Sequence, residues 1–169
     1  MKDLGELQWF LGIQIIRDQE QRQPWLNQQS YFEGITDQFG LNDHVGRPPT
    51  PLSQQPLIKN KAITTQEFTT EYQAKIRSTN YKSIITRPDC TFTSSQLTRF
   101  NNNPSKHHMS KIDRYIQFLR RSSDLGIIFD SLKEGPIFEV FTNASFADNL
   151  DSQKSSQGYL MKLYRGPVT

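Results

Sequence analysis

The stretch 42–65 constrains the fold more than any other feature of the sequence. Gly46, Pro48, Pro49, Pro51 and Pro56 fall within it, and neither a period of 2 nor one of 3.6 survives there. Proline removes a backbone donor and fixes φ, so a segment this rich in it reads as a connection rather than an element. A chain of 169 residues is long enough for one domain with its own core, yet only 34% of it is hydrophobic. With a mean hydropathy of −0.68, two small folded regions tied by polar connections are expected. Eleven Phe and six Tyr argue against wholesale disorder.

No apolar run approaches the roughly 18 residues that span a membrane, and the N-terminus lacks the basic and apolar regions of a signal peptide. An intracellular setting, cytoplasmic or nuclear and not secreted, is expected, with no membrane partner. The single Cys90 rules out an intrachain disulfide and a multi-cysteine zinc site, and reads as a small buried or half-buried side chain. The net charge of +3 hides an asymmetry. Residues 73–121 carry ten Lys and Arg against Asp89 and Asp113, a local +8, whereas the remainder carries ten basic and fifteen acidic residues, or −5. Such a block suits a surface that tracks phosphates, although solvated helix faces give similar counts.

Leu7, Trp9, Leu11, Ile13 and Ile15 alternate with Gln8, Phe10, Gly12 and Gln14 as a partly buried strand would. A polar turn follows over 18–24. Tyr31, Phe32, Ile35 and Phe39 then form one helical stripe, with Asn27 as cap and Gly40 as stop. Beyond the connection a weakly amphipathic stretch covers 66–85, and a new helical start follows Pro88, with Phe92, Leu97 and Phe100 facing the core. The strongest helix has Asn103 as cap, Pro104 at its first position, and His108, Ile112, Tyr115, Ile116 and Leu119 on one stripe. Its other face carries Lys106, Lys111, Arg114, Arg120 and Arg121, some of which also suit the helix dipole. His107 and His108 point about 100 degrees apart on a helix, a poor metal pair, so one packed and one solvated ring is expected. After Gly126 the pattern changes to short β-rich runs, "GIIF", "IFEVFTN" and "GYLMKLY", with a second unit starting near Phe138. Three strands without covering helices leave an exposed edge and face.

The strings "MKDLGELQWFLGI", "LNQQSYFEGITDQFGL", "TPL", "YKSIITRPDCTFTSSQLTRF", "NPSKHH", "FTNASFAD", "SSQGYL" and "GPV" follow one another across nearly the whole chain. In this order they resemble the landmarks of copia-type retrotransposon Pol, from the end of the reverse transcriptase into the start of the ribonuclease H domain. The resemblance implies an α+β fold: a palm-end strand hairpin and thumb or connection helices, then an incomplete ribonuclease H-like β-sheet. Region 1–46 would be palm end and thumb start, 47–65 a Pro-rich linker, 66–126 the helical thumb and connection, and 127–169 a truncated ribonuclease H-like domain. Trp9, Phe10, Leu11 and Gly12 would occupy the primer grip, with palm-core packing as the other reading of Trp9 and Phe10. The basic helix, with Lys106, Lys111, Arg114, Arg120 and Arg121, would hold a template and primer duplex through its backbone.

Intact members of the family use Mg2+, held in the polymerase by a tyrosine, any residue, aspartate, aspartate motif. No adjacent Asp pair occurs anywhere in this chain. The first metal-binding aspartate of ribonuclease H should follow Thr142, and Asn143 stands there instead; an amide offers neither the charge nor the bridging capacity of a carboxylate. Asp148 is five residues further on, beyond the expected strand end. Arg77, Lys82 and Cys90 also depart from the family pattern, and Met1 matches an internal methionine of it. The expectation is a Pol-derived fragment with no catalytic residue, no metal site and no cofactor of its own. The alternative is a module that binds nucleic acid without sequence preference, or associates with intact Pol, through the basic helix.

Overall fold

A computed structural model describes residues 5–42, 48–149 and 151–168, with the backbone alone at 82–84. Met1, Gly46 and the Lys82 side chain, on which sequence expectations rested, lie outside the described residues. The observed architecture mixes helices with two small antiparallel sheets, in agreement with the expected α+β class.

The opening alternation is a hairpin rather than one strand. Strands β1 (Trp9–Phe10) and β2 (Ile13–Asp18) are joined by Leu11 and Gly12, whose φ values are +50° and +76°. Two positive φ values in a two-residue loop match the twist of the flanking strands. Because the period of 2 continues through the loop, alternation alone could not reveal the turn. A third strand, β3 (Gln23–Asn27), occupies residues expected to be turn and helix start. Its pairing with β2 runs from Gln14↔Asn27 to Asp18↔Gln23. The fourth strand, β4 (Ile127–Ile128), comes from the other side of the helical region and pairs with Trp25 and Leu26. A Cβ on Gly126 would stand 2.4 Å from the Leu26 carbonyl oxygen, so only glycine permits this approach. The first strand of the region 127–169 thus completes the N-terminal sheet.

Helix α1 (Gln29–Gln38) follows β3 directly. Asn27 serves it from one residue further out than a standard cap: its Oδ1 accepts from the Gln29 N–H at 2.6 Å, while the cap position belongs to Gln28. Gly40, at φ +65°, ends the helix. The Gly40 N–H donates to Asp37 O and the Leu41 N–H to Thr36 O, the bond pair of a Schellman stop. Segment 48–65 has no helix or strand, yet Leu52 and Leu57 pack on the core. Helix α2 (Gln66–Ile85), a short 3-10 turn (Pro88–Cys90), α3 (Thr91–Thr98) and α4 (Lys106–Arg121) complete the helical part.

The core lies among these four helices. Phe32, Ile35, Tyr72, Ile76, Leu97, Phe100, Ile112, Tyr115, Ile116 and Leu119 are buried in one cluster, each large apolar side chain contributing about 1.5–3 kcal/mol by leaving water. The α4 stripe is as expected, because a 3.6 period over 16 residues leaves one way to bury it. Two expectations are corrected. Phe92 is 63% exposed, since α3 turns it away from the face carrying Leu97. Ser105, not Asn103, caps α4: its Oγ accepts from the His108 N–H, and His108 Nδ1 accepts from the Ser105 N–H. Asn103 is occupied elsewhere, donating to the Ala62 and Asn60 carbonyls and accepting from Thr64.

The second sheet has the order β5 (Phe138–Ser145), β6 (Ser156–Leu163) and β7 (Gly166–Val168). Strands β5 and β6 pair over eight residues, from Phe138↔Leu163 to Ser145↔Ser156. Phe138, Val140, Phe141 and Tyr159 are exposed on it. The Asp130 N–H donates to Tyr164 O at 2.8 Å, which ties this sheet to the segment after β4.

Candidate nucleic-acid interface and metal site

The hairpin loop carries the first group of candidate residues. Trp9, Phe10 and Leu11 are all exposed, Leu11 at 65%, so none of them is core in the described structure. Gly12 holds the turn beside them.

The positive block of 73–121 is used largely inside the molecule. Lys75 is buried and bonds Asp113 at 2.7 Å and Glu71 at 3.0 Å. Burial disfavours its charge, but the two carboxylates outweigh this and hold its pKa above the ordinary lysine value. Arg87 is the most deeply buried cation among the described residues. Its Nε and Nη2 grip Asp89 at 2.9 and 2.8 Å, and Nη1 donates to the Ser122 carbonyl and hydroxyl, so it ties the 3-10 turn to the C-terminus of α4. Its guanidinium also stands 5.5 Å from the Phe118 ring centre. Burial alone would raise the Asp89 pKa, but Arg87 holds that carboxyl below its usual range.

Of the five candidate cations on α4, Arg120 forms an ion pair with Glu33 of α1 at 2.6 Å. Hydrogen bonds from Gln29 and then Arg120 lower the Glu33 pKa. Lys111 is 7% exposed and donates to Ser53 and Gln55 of the connection. Its pKa is lowered, first by burial and then by the charge of Arg114, whose Nη2 donates to Thr50 at 3.0 Å. Lys106 and Arg121 are exposed, but they mark opposite ends of α4, about 22 Å apart at 1.5 Å per residue. The structure therefore brings Lys111 and Arg114 together and leaves the other three apart. Sequence reasoning missed Lys75 and Arg87 as structural cations. Their local pairs with Glu71 and Asp89 read as ordinary surface contacts, and the further partners Asp113 and Ser122 lie 38 and 35 residues away.

His108 is fully buried and stacked on Phe100 with ring centres 3.9 Å apart, while His107 is exposed, the expected division of that pair. Asn143 lies in β5, opposite Gly158, with an exposed side chain. Asp148 follows the strand; its Oδ2 accepts from the Ser156 hydroxyl at 2.8 Å. Two-ion chemistry needs clustered carboxylates. Among the described residues no group of three or more His, Cys, Asp or Glu side chains is placed to hold a metal. The residues at this position do not fit the Mg2+ centre that the resemblance implies for intact family members.

No family model and no solved structure matches the chain. Curated relatives do. Over its whole length the chain is 31% identical to a retrovirus-related Pol polyprotein from transposon TNT 1-94 of Nicotiana tabacum. It is 27% and 25% identical to those from transposons RE1 and RE2 of Arabidopsis thaliana, again over the whole chain. It spans only 13%, 11% and 11% of those relatives' lengths. Every residue of the chain is covered in each of these matches, and the landmark strings run through nearly all of it: the chain is similar throughout to a region of retrovirus-related transposon Pol polyproteins, which supports a copia-type Pol polyprotein region.

Proposed function

We propose that this chain is the Pol segment running from the end of the reverse transcriptase, through thumb and connection helices, into the opening strands of ribonuclease H, and that it catalyses neither reaction alone. The carrying observation is the carboxylate inventory. The sequence has no adjacent aspartates, and position 143 offers an exposed amide on β5. A phosphoryl-transfer site without its metal-binding carboxylates has nothing to neutralise the developing charge. Purified protein should neither extend a primer on an RNA template nor cleave the RNA of an RNA/DNA hybrid, with Mg2+ or Mn2+. Incorporation or cleavage above a heat-killed control, persisting through repeated purification, overturns the reading. Asn143→Asp alone should not restore cleavage, because one carboxylate does not make a two-ion site.

A second reading rests on the +8 excess of 73–121. In it, the exposed Arg77, Arg99, Lys106 and Arg121 hold an RNA/DNA duplex without sequence preference, or the segment associates with intact Pol. With about two phosphates neutralised, the log of affinity should fall against log salt with a slope of roughly −2. Absence of duplex binding at low salt removes the nucleic-acid form of this reading. Either reading places the chain inside the cell, without a metal cofactor of its own.

A further inference from the structure

Helix α4 and the connecting segment flank an open polar cleft of about 600 Å³. Lys111 and Arg114, one helical turn apart, both line it, together with Ser53, Gln55, Ser110 and Gln117. Like charges at this spacing repel, and here the repulsion is strengthened by burial. The Lys111 ammonium has two neutral acceptors, Ser53 Oγ and Gln55 Oε1, for its three N–H groups. Arg114 Nη2 donates to Thr50, but its Nε is buried with no acceptor among the described residues. A buried N–H of a charged group costs free energy until it is paired.

The cleft contains one carboxylate among its described lining residues, Asp113, and that group is committed to Lys75 at 2.7 Å. The cleft therefore has excess positive charge, unmet N–H donors, and hydroxyl and amide groups around them. Its complement is a compact oxyanion with several acceptor oxygens. A lysine beside an arginine matches a phosphate well, the ammonium acting as a point charge and the guanidinium as a directed fork. Because Lys111 lines the wall of a recessed cleft and is itself largely buried, the site suits the end of a chain better than a continuous backbone. A single terminal phosphate fits it.

We propose that this cleft binds one phosphate monoester group, free or at the end of a nucleic acid, between Lys111 and Arg114. The assignment stands apart from the reading of the chain as a catalytically silent Pol segment. Full-length protein should be titrated with inorganic phosphate, then with a short oligonucleotide bearing a 5′-phosphate and its 5′-hydroxyl counterpart, following backbone amide resonances. Saturable shifts at 53–55 and 110–117 with inorganic phosphate support the site. Shifts with the 5′-phosphorylated oligonucleotide alone also support it and assign the source to a nucleic acid end.

Arg114→Gln should weaken binding about tenfold or more. Gln55→Glu supplies a second test that does not depend on an unfolded variant. It places a carboxylate beside Lys111, so it should raise the melting temperature while abolishing phosphate binding. No saturable binding in either arm overturns the proposal. So does equal binding of the 5′-hydroxyl oligonucleotide, or an Arg114→Gln protein that binds as the parent does.

Discussion

Acidification should unfasten the N-terminus of α4 through His108. Its Nδ1 accepts the Ser105 N–H at 3.0 Å, so the buried ring must be neutral, with its proton on Nε2. Protonation would destroy that acceptor and set a cation at the positive end of a helix dipole. It would also charge a ring that is fully buried against Phe100. Burial is the largest cause holding the His108 pKa below its ordinary value; exposed His107 on the same helix adds to it, while the Ile58 carbonyl and Asp151 oppose it. The sign follows directly. With the folded pKa depressed, the contribution to stability is fully present above the unfolded value of about 6.5 and is lost as pH falls through the folded pKa. Within that window stability should fall by up to about 1.4 kcal/mol per pH unit. Urea unfolding between pH 7.5 and 5 would measure it, beside His108→Gln, in which a glutamine keeps the reciprocal cap and does not titrate. Parent and variant with the same pH dependence would refute the reasoning.

Arg87→Met should cost about 1–3 kcal/mol, because it strips the Ser122 carbonyl and the half-exposed Asp89 carboxylate of a buried donor; a urea midpoint unchanged from the parent would contradict this. Gly126→Ala should destabilise by about 1–3 kcal/mol, since the new methyl meets the Leu26 carbonyl, and faster amide exchange at Trp25 and Leu26 should accompany the loss. Burial pushes the Cys90 thiol up to about 12, so a thiolate-specific reagent at pH 8 should leave it unmodified in native protein and label it in urea.

The helical core was the most legible part of the sequence, because Ile112, Tyr115, Ile116 and Leu119 repeat over a helix long enough to average out exceptions. Short elements were not. The five residues of β3 include Pro24, which reads as a turn until β2 and β4 are seen on either side of it. Asn103 and Ser105 are both good caps by type, and only the loop carrying Ala62 and Thr64 decides between them. The basic helix shows a deeper difficulty. Composition counts charges one at a time, whereas the fate of Arg120 depends on Glu33, 87 residues earlier, and that of Lys111 on a connection with no periodic pattern of its own. Asn143 was legible only because the family strings locate the position at which an aspartate is expected.

The two residues of β4 also set a timetable for synthesis. Strands β1 to β3 leave the ribosome before the helices, but the strand that closes their sheet is encoded about 100 residues after β3. At roughly 5–20 residues per second, the nascent hairpin waits about 5–20 s with the β3 edge uncovered. Helices α1 to α4 emerge in that interval and bring Gly126 back beside Leu26. The β1–β3 sheet is thus begun before the helices are made and completed only after them.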